Sequence, residues 1–104
     1  MVIQNTTFVI SDDIEKEFFH WLRTELVPAV KGSGVYAADP SLMLILASAE
    51  PGTKNFAFQT RTDNLDAAQA WLCEGEGARL LGEITRKMEG RMAHFSTFMA
   101  EIEL

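Results

Sequence analysis

The stretch VIQNTTFVISDDIEKEFFHWL, Val2 to Leu22, decides the fold class. Its opening residues are rich in β-branched and apolar types, which suit a pleated surface. Ser11-Asp12-Asp13 ends that run, and Glu15 follows Asp12 by three residues. This is a capping-box pattern, in which side-chain oxygens satisfy the first free N–H groups of a helix. Beyond it the apolar period changes: Ile14, Phe18, Trp21, Leu22, Leu26 and Ala29 recur at helical spacing. A strand therefore feeds a helix. The helix should end near Val30 or Lys31, where Gly32 and Gly34 can take the left-handed conformation, and Pro28 should bend or shorten its last turns.

The rest of the chain repeats the theme. Val35 to Ser48 reads as a strand interrupted at Asp39-Pro40; proline cannot donate to a sheet ladder, so this strand is bulged or lies at an edge. Glu50-Pro51-Gly52-Thr53 is a turn, and Asn55 to Thr62 is the return strand of a hairpin. Asp63 should cap the next helix, with Asp66 three residues on and Leu65, Ala68 and Leu72 on its buried side. Gly75 and Gly77 break it. A further helix runs to about Gly90 with Leu80, Leu81, Ile84 and Met88 inward, and Met92 to Ile102 is the last strand. The order β-α-β-β-α-β predicts a ferredoxin-like α+β domain: a four-stranded antiparallel sheet with its helices on one face. Residues 1–104 fit one such domain, with no repeat or linker.

Bulk properties narrow the function. Fifteen acidic and nine basic residues give a net charge of −6, with the basic ones scattered from Lys16 to Arg91. That pattern repels polyanions and offers no basic stripe, so nucleic acid is not an expected partner. The longest apolar run, Leu42 to Ala47, is too short to span a bilayer, and the first ten residues have no basic n-region. With Cys73 as the single cysteine, no intrachain disulfide can form, and a cytoplasmic location is expected.

Helices on one side leave the other face of the sheet bare. Strand alternation sorts residues between the two sides. In the first strand Asn5, Thr7 and Val9 share a side with Ile3; in the third, Ala57, Gln59 and Arg61 oppose Phe56 and Phe58. In the last strand Phe95 and Met99 oppose His94, Ser96 and Phe98. Turning the more apolar sets toward the helices puts Asn5, Thr7, Gln59, His94 and Ser96 on the bare face, among Ile3, Val9, Ala57 and Phe98. Such a mixed face suits burial against a second copy. Two sheets packed face to face would make a homodimeric barrel, with a small cavity lined by those polar groups. Buried polar groups need partners, which would be each other, water or a ligand, a small apolar molecule being the candidate.

Several short motifs resemble a small bacterial domain family of unknown function and about this length. They are Asn5-x-Thr7, Trp21-Leu22, Val27-Pro28 before a glycine exit, the Gln59 strand and Phe95-x-Thr97. The resemblance implies membership of the dimeric α+β barrel superfamily, which holds cofactor-free monooxygenases, cyclases and isomerases as well as proteins without known activity. It implies fold and dimer, and no activity comes with it; no cofactor is expected. Where the family pattern often has a histidine before the apolar–proline pair, this chain has Leu26.

Among titratable residues His94 is the candidate acid or base, with Asn5 and Gln59 as orienting donors. No carboxylate on that face would orient it, so a satisfied hydrogen-bond network in a dimer core is the favoured reading. An enzyme would need a cavity of roughly 300 Å³ or more that His94 reaches. His20 lies off the apolar stripe and reads as solvated. Cys73, beside Glu74 and Glu76, reads as a small buried side chain rather than a nucleophile. No Cys/His set has metal-ligand spacing, no phosphate loop is present, and no serine nucleophile elbow appears. The readings are thus a homodimeric binding module, a cofactor-free enzyme using His94, and a regulatory protein docking through the edge near Asp39-Pro40.

Overall fold

The computed structural model describes residues 1–47 and 49–104. Strand β1 (Val2–Ser11) leads through a single 3-10 turn into α1 (Glu15–Trp21), a π turn (Leu22–Leu26) and α2 (Val27–Gly32). Then come β2 (Ser41–Leu44), β3 (Thr53–Thr62), α3 (Leu65–Cys73), α4 (Glu76–Lys87) and β4 (Met92–Ala100). The sheet order is β2-β3-β1-β4, antiparallel at every junction. This is the ferredoxin-like α+β arrangement that the element order predicts.

One face of the sheet carries the core. Phe8, Ile10, Phe56, Phe58 and Met92 pack under Ile14, Phe18, Trp21, Leu22, Leu26 and Val30 on one side, and Leu72, Leu80, Leu81, Ile84 and Met88 on the other. Phe8 is fully buried, with its ring centroid 5.1 Å from Phe18 and 6.0 Å from Trp21, both edge-on. Burying such a side chain stabilises by roughly 1.5–3 kcal/mol, and edge-on aromatic pairs add about 0.5–1.5 kcal/mol.

Pro28 does not end the first helix. It lacks an N–H, and its ring would clash with the carbonyl of Thr24 in a regular α-helix. The backbone widens to a π turn just before it, with Val27 N–H bonding to Leu22 O, and the helix then runs on to Gly32. The expected capping box is absent: Ser11 makes no side-chain cap bond. Glu15 instead accepts from Lys54 Nζ at 2.7 Å, tying α1 to β3. At α3 the cap is Asn64, not Asp63; its side chain accepts from Ala67 N–H at 3.0 Å, and Leu65 is exposed. Both Asp63 and Asn64 are good capping residues, and the start of the helix at Leu65 puts Asn64 at the cap.

The second strand is shorter than its apolar run. Pairing covers only Ser41–Leu44, starting after Pro40, at the edge of the sheet. Val35 and Ala37 do touch the sheet, by a Thr62 hydroxyl bond to Val35 O and an Ala37 N–H bond to Arg61 O, but outside a ladder. Ser48, the expected end of this strand, lies outside the described residues. The turn into β3 closes by Thr53 N–H to Glu50 O, and Gly52 supplies the positive φ of 81° that it needs.

Gly77 decides how closely α3 and α4 approach. A Cβ there would sit 2.6 Å from the Trp71 ring and 2.9 Å from the Trp71 carbonyl oxygen. Glycine to alanine inside a helix ordinarily stabilises by up to about 1 kcal/mol. At Gly77 the sign should reverse, with Gly77→Ala losing about 1–3 kcal/mol in urea unfolding. Gly82→Ala, whose new methyl meets only the flexible Arg86 guanidinium at 3.3 Å, should keep the ordinary gain. Equal effects at both sites would contradict this packing.

Candidate functional site: the open face of the sheet

Cross-strand partners in an antiparallel pair project from the same face. The register pairs Ile3 with Arg61, Asn5 with Gln59, Thr7 with Ala57 and Val9 with Asn55. On the other side of β1 it pairs Ile3 with Met99, Asn5 with Thr97, Thr7 with Phe95 and Val9 with Ala93. Met43 of β2 lies beside Ala57. These residues form the face turned away from the helices.

Three of the five expected site residues meet there. Gln59 Nε2 donates to Asn5 Oδ1 at 3.2 Å, and Asn5 Nδ2 donates to Thr7 Oγ1 at 3.1 Å. The network fixes the order of these side chains along the middle of the face. Thr7 is almost covered by its neighbours, at 9% exposure. Around this polar centre stand apolar side chains open to solvent: Phe95 at 58%, Met43 at 42% and Met99 at 40%. An ion pair between Arg61 and Glu101 closes one end.

His94 and Ser96 are not on this face, which corrects their expected place. They pair with Phe8 and Thr6, whose side chains lie under the helices. Phe95 and Met99, expected inside, are outside. The reason is the start of β4: Met92 pairs with Ile10 and drops into the core, which turns every even-numbered residue of β4 inward. His94 is half-buried, with its ring 6.2 Å from Phe8. Ser96 and Thr6 share a hydrogen bond of 2.7 Å between their hydroxyls. Asn5 and Gln59 are across the sheet from His94 and cannot orient it.

The helix side holds further polar groups that the alternation left unnoticed. Gln4 is buried and accepts from the Tyr36 hydroxyl at 2.7 Å; burial pushes that phenol up to about 12. Thr62 donates to Val35 O, whereas the buried Thr60 hydroxyl has no partner among the described residues. Cys73 is exposed at the end of α3, not buried. It falls on the outer side of the helix, opposite Ala68 and Leu72. Among the described residues no group of three or more His, Cys, Asp or Glu could hold a metal, and no helix is long and apolar enough to cross a membrane.

Two hollows elsewhere are poor sites. One of about 590 Å³ between α1 and α4 is lined by Lys16, His20, Trp21, Arg79, Glu83 and Lys87, of mixed sign. Its Arg79 is already held by Glu76 and Glu83. A second, of about 640 Å³, lies over the turn from β1 into α1. His94 lines neither of them.

Burial pushes the His94 imidazole below its ordinary value. The unfolded chain, near the ordinary value of about 6.5, therefore takes up that proton first as pH falls. Stability from the neutral ring is complete above that value and is lost progressively as pH drops through it toward the folded value. The urea midpoint should thus be lower at about pH 5.5 than at about pH 7.5, and His94→Gln should shrink the difference. An equal drop in the variant would assign it to other groups.

Known structures share this architecture. One described as a candidate antibiotic biosynthesis monooxygenase from Deinococcus radiodurans superposes with a TM-score of 0.74 at 17% identity, covering 100% of this chain and 95% of that one. A monooxygenase from Streptomyces coelicolor, solved with nanaomycin D, gives 0.66 at 10% identity, covering 99% and 88%. A dimeric ferredoxin-like protein from an uncultured marine organism gives 0.65 at 11% identity, covering 99% and 98%. At these identities the likeness is one of fold. No curated protein matches in sequence. A family model described as a domain of unknown function, DUF4286, matches residues 1–102, and the chain belongs to that family.

Proposed function

We propose that the chain works as a homodimeric binding or interaction module whose two sheets meet through their open faces. The observation that carries this reading is the set of exposed apolar side chains on one sheet face, Phe95, Met43 and Met99, beside Ile3 and Val9. Apolar surface gathered in this way marks an interface rather than a solvated wall. The likeness to a neighbour described as a dimeric ferredoxin-like protein supports it.

The polar centre then acquires a role. Asn5, Gln59 and Thr7 satisfy one another only in part: each amide keeps a second N–H, and the Gln59 carbonyl is free of the network. Once covered, those groups must find partners. The symmetry-related amides supply some, and a small, largely apolar molecule with a hydrogen-bonding group fits what remains. The enzyme reading with His94 has no such support, because its intended helpers sit on the opposite face. A free, exposed Cys73 suits a reducing compartment such as the cytoplasm.

Light scattering on the eluting peak tests the dimer. The 11.6 kDa chain should run at twice that mass at micromolar concentration. Phe95→Asp, which places a charge on the open face without touching the core, should run at the single-chain mass with its helical circular dichroism unchanged. A monomeric parent protein, or a dimeric Phe95→Asp, would remove this reading.

A further inference from the structure

We infer that the apolar hollow between the π turn and β2 binds a small aliphatic carboxylate, with the chain inside the hollow and the carboxylate on Arg23 at its rim. The site is built by one chain and opens on the helix side of the sheet, so the inference stands apart from the dimer proposed above.

The first observation is how the backbone makes the hollow. Leu22 and Val27 are five residues apart, which on a regular α-helix turns their side chains roughly 140° from each other. The π turn that accommodates Pro28 bonds Val27 N–H to Leu22 O and so brings the two side chains to one wall, which Phe19 extends. Opposite stand Leu42 and Phe58, cross-strand partners on the helix side, and Pro40, after which β2 begins. The space between these walls is about 190 Å³.

The second observation is that the walls are unfinished. Leu22 and Phe58 are buried, whereas Phe19, Val27 and Leu42 are only partly buried against the core. Apolar surface inside the hollow therefore meets water, and a chain that entered would remove it from water. The volume lies below the roughly 300 Å³ of sites for drug-sized molecules. At the packing density of a protein interior it holds a chain of about six carbons.

The third observation is the charge at the mouth. Arg23 also lines the hollow, and its guanidinium carbon lies 5.4 Å from the centre of the Phe19 ring. That contact holds the cation over the wall. Among the described residues no carboxylate lies within ion-pair distance of Arg23. Glu15 and Asp13, from the neighbouring hollow over the turn, pair with Lys54 at 2.7 Å and Arg91 at 3.6 Å. A guanidinium presents parallel N–H donors that match the two oxygens of a carboxylate. The net charge of −6 gives an anion no long-range attraction, so the head group must be held by this local pair. An apolar hollow with a cation at its mouth selects an apolar chain that ends in an anion.

Titration of the full-length, ¹⁵N-labelled chain with sodium hexanoate, followed by amide chemical shifts, tests the site. Saturable shifts are expected at Leu22, Val27 and Leu42. Hexan-1-ol should bind roughly tenfold more weakly, and acetate should give no saturable shift. Arg23 is exposed, so Arg23→Gln leaves the fold intact and should bring hexanoate down to the level of hexanol. Leu42→Phe, which fills the hollow, should weaken both ligands roughly tenfold, with the urea midpoint reporting that the variant folds. No saturable shift with hexanoate, shifts confined to the open face of the sheet, or equal affinity for hexanol each overturn the inference. So does either variant, once shown to be folded, if it binds hexanoate as the parent does. A monomeric parent that still binds hexanoate in this way removes the dimer and leaves this site standing.

Discussion

The pairing of Met92 with Ile10 is the constraint on which the rest of the molecule depends. Both side chains are buried in the core under the helices. Side-chain direction in a strand has a period of two, so this one pair sets the direction of every later residue in β4. It sends His94, Ser96 and Phe98 under the helices, and Ala93, Phe95, Thr97 and Met99 to the open side. A slip by one residue would exchange the two sets. It would also expose Met92 and bury alanine in its place, which opposes the slip by the transfer cost of a methionine side chain, roughly 1.5–3 kcal/mol.

The consequence is a sheet with two unlike faces. The helix side is filled by aromatic and aliphatic groups near Phe8. Toward the start of β1 it becomes a set of paired polar groups, Gln4 with Tyr36 and Thr6 with Ser96. The open side has the reverse plan, a small amide network ringed by apolar side chains. An isolated chain would leave that ring in water. Association through it would remove the apolar groups from water and place the amides where only complementary groups can satisfy them. A shape shared with monooxygenases at 10–17% identity adds nothing to this chemistry, because folds host many functions and activity is a property of particular side chains.

Much of the architecture was legible in the residues themselves. The strand-to-helix switch at Ser11, the inward set Leu80, Leu81, Ile84 and Met88, and the edge position of the proline-bearing strand all follow from period and turn chemistry. Of the open face, Asn5, Thr7 and Gln59 were legible because Phe8, Phe56 and Phe58 mark the buried parity of β1 and β3 without ambiguity. In β4 the signal is balanced: Met92 and Phe98 on one parity, Phe95 and Met99 on the other. When both faces are apolar, alternation cannot say which is inside, and only pairing with β1 breaks the tie. The same limit hid Phe95 as the most exposed aromatic of the face. Local competition between neighbours hid the Asn64 cap behind Asp63, and helix phase, not residue type, decides that Cys73 is exposed.

The central claim is that the face bearing Phe95 and Met99 is covered by a second copy of the chain. Isotope-filtered nuclear Overhauser spectra on an equimolar mixture of labelled and unlabelled protein read that contact directly. The account predicts intermolecular cross-peaks to the Phe95 ring and the Met99 methyl group. Cross-peaks confined to the outer surfaces of α1 and α4, or none at all, would contradict it.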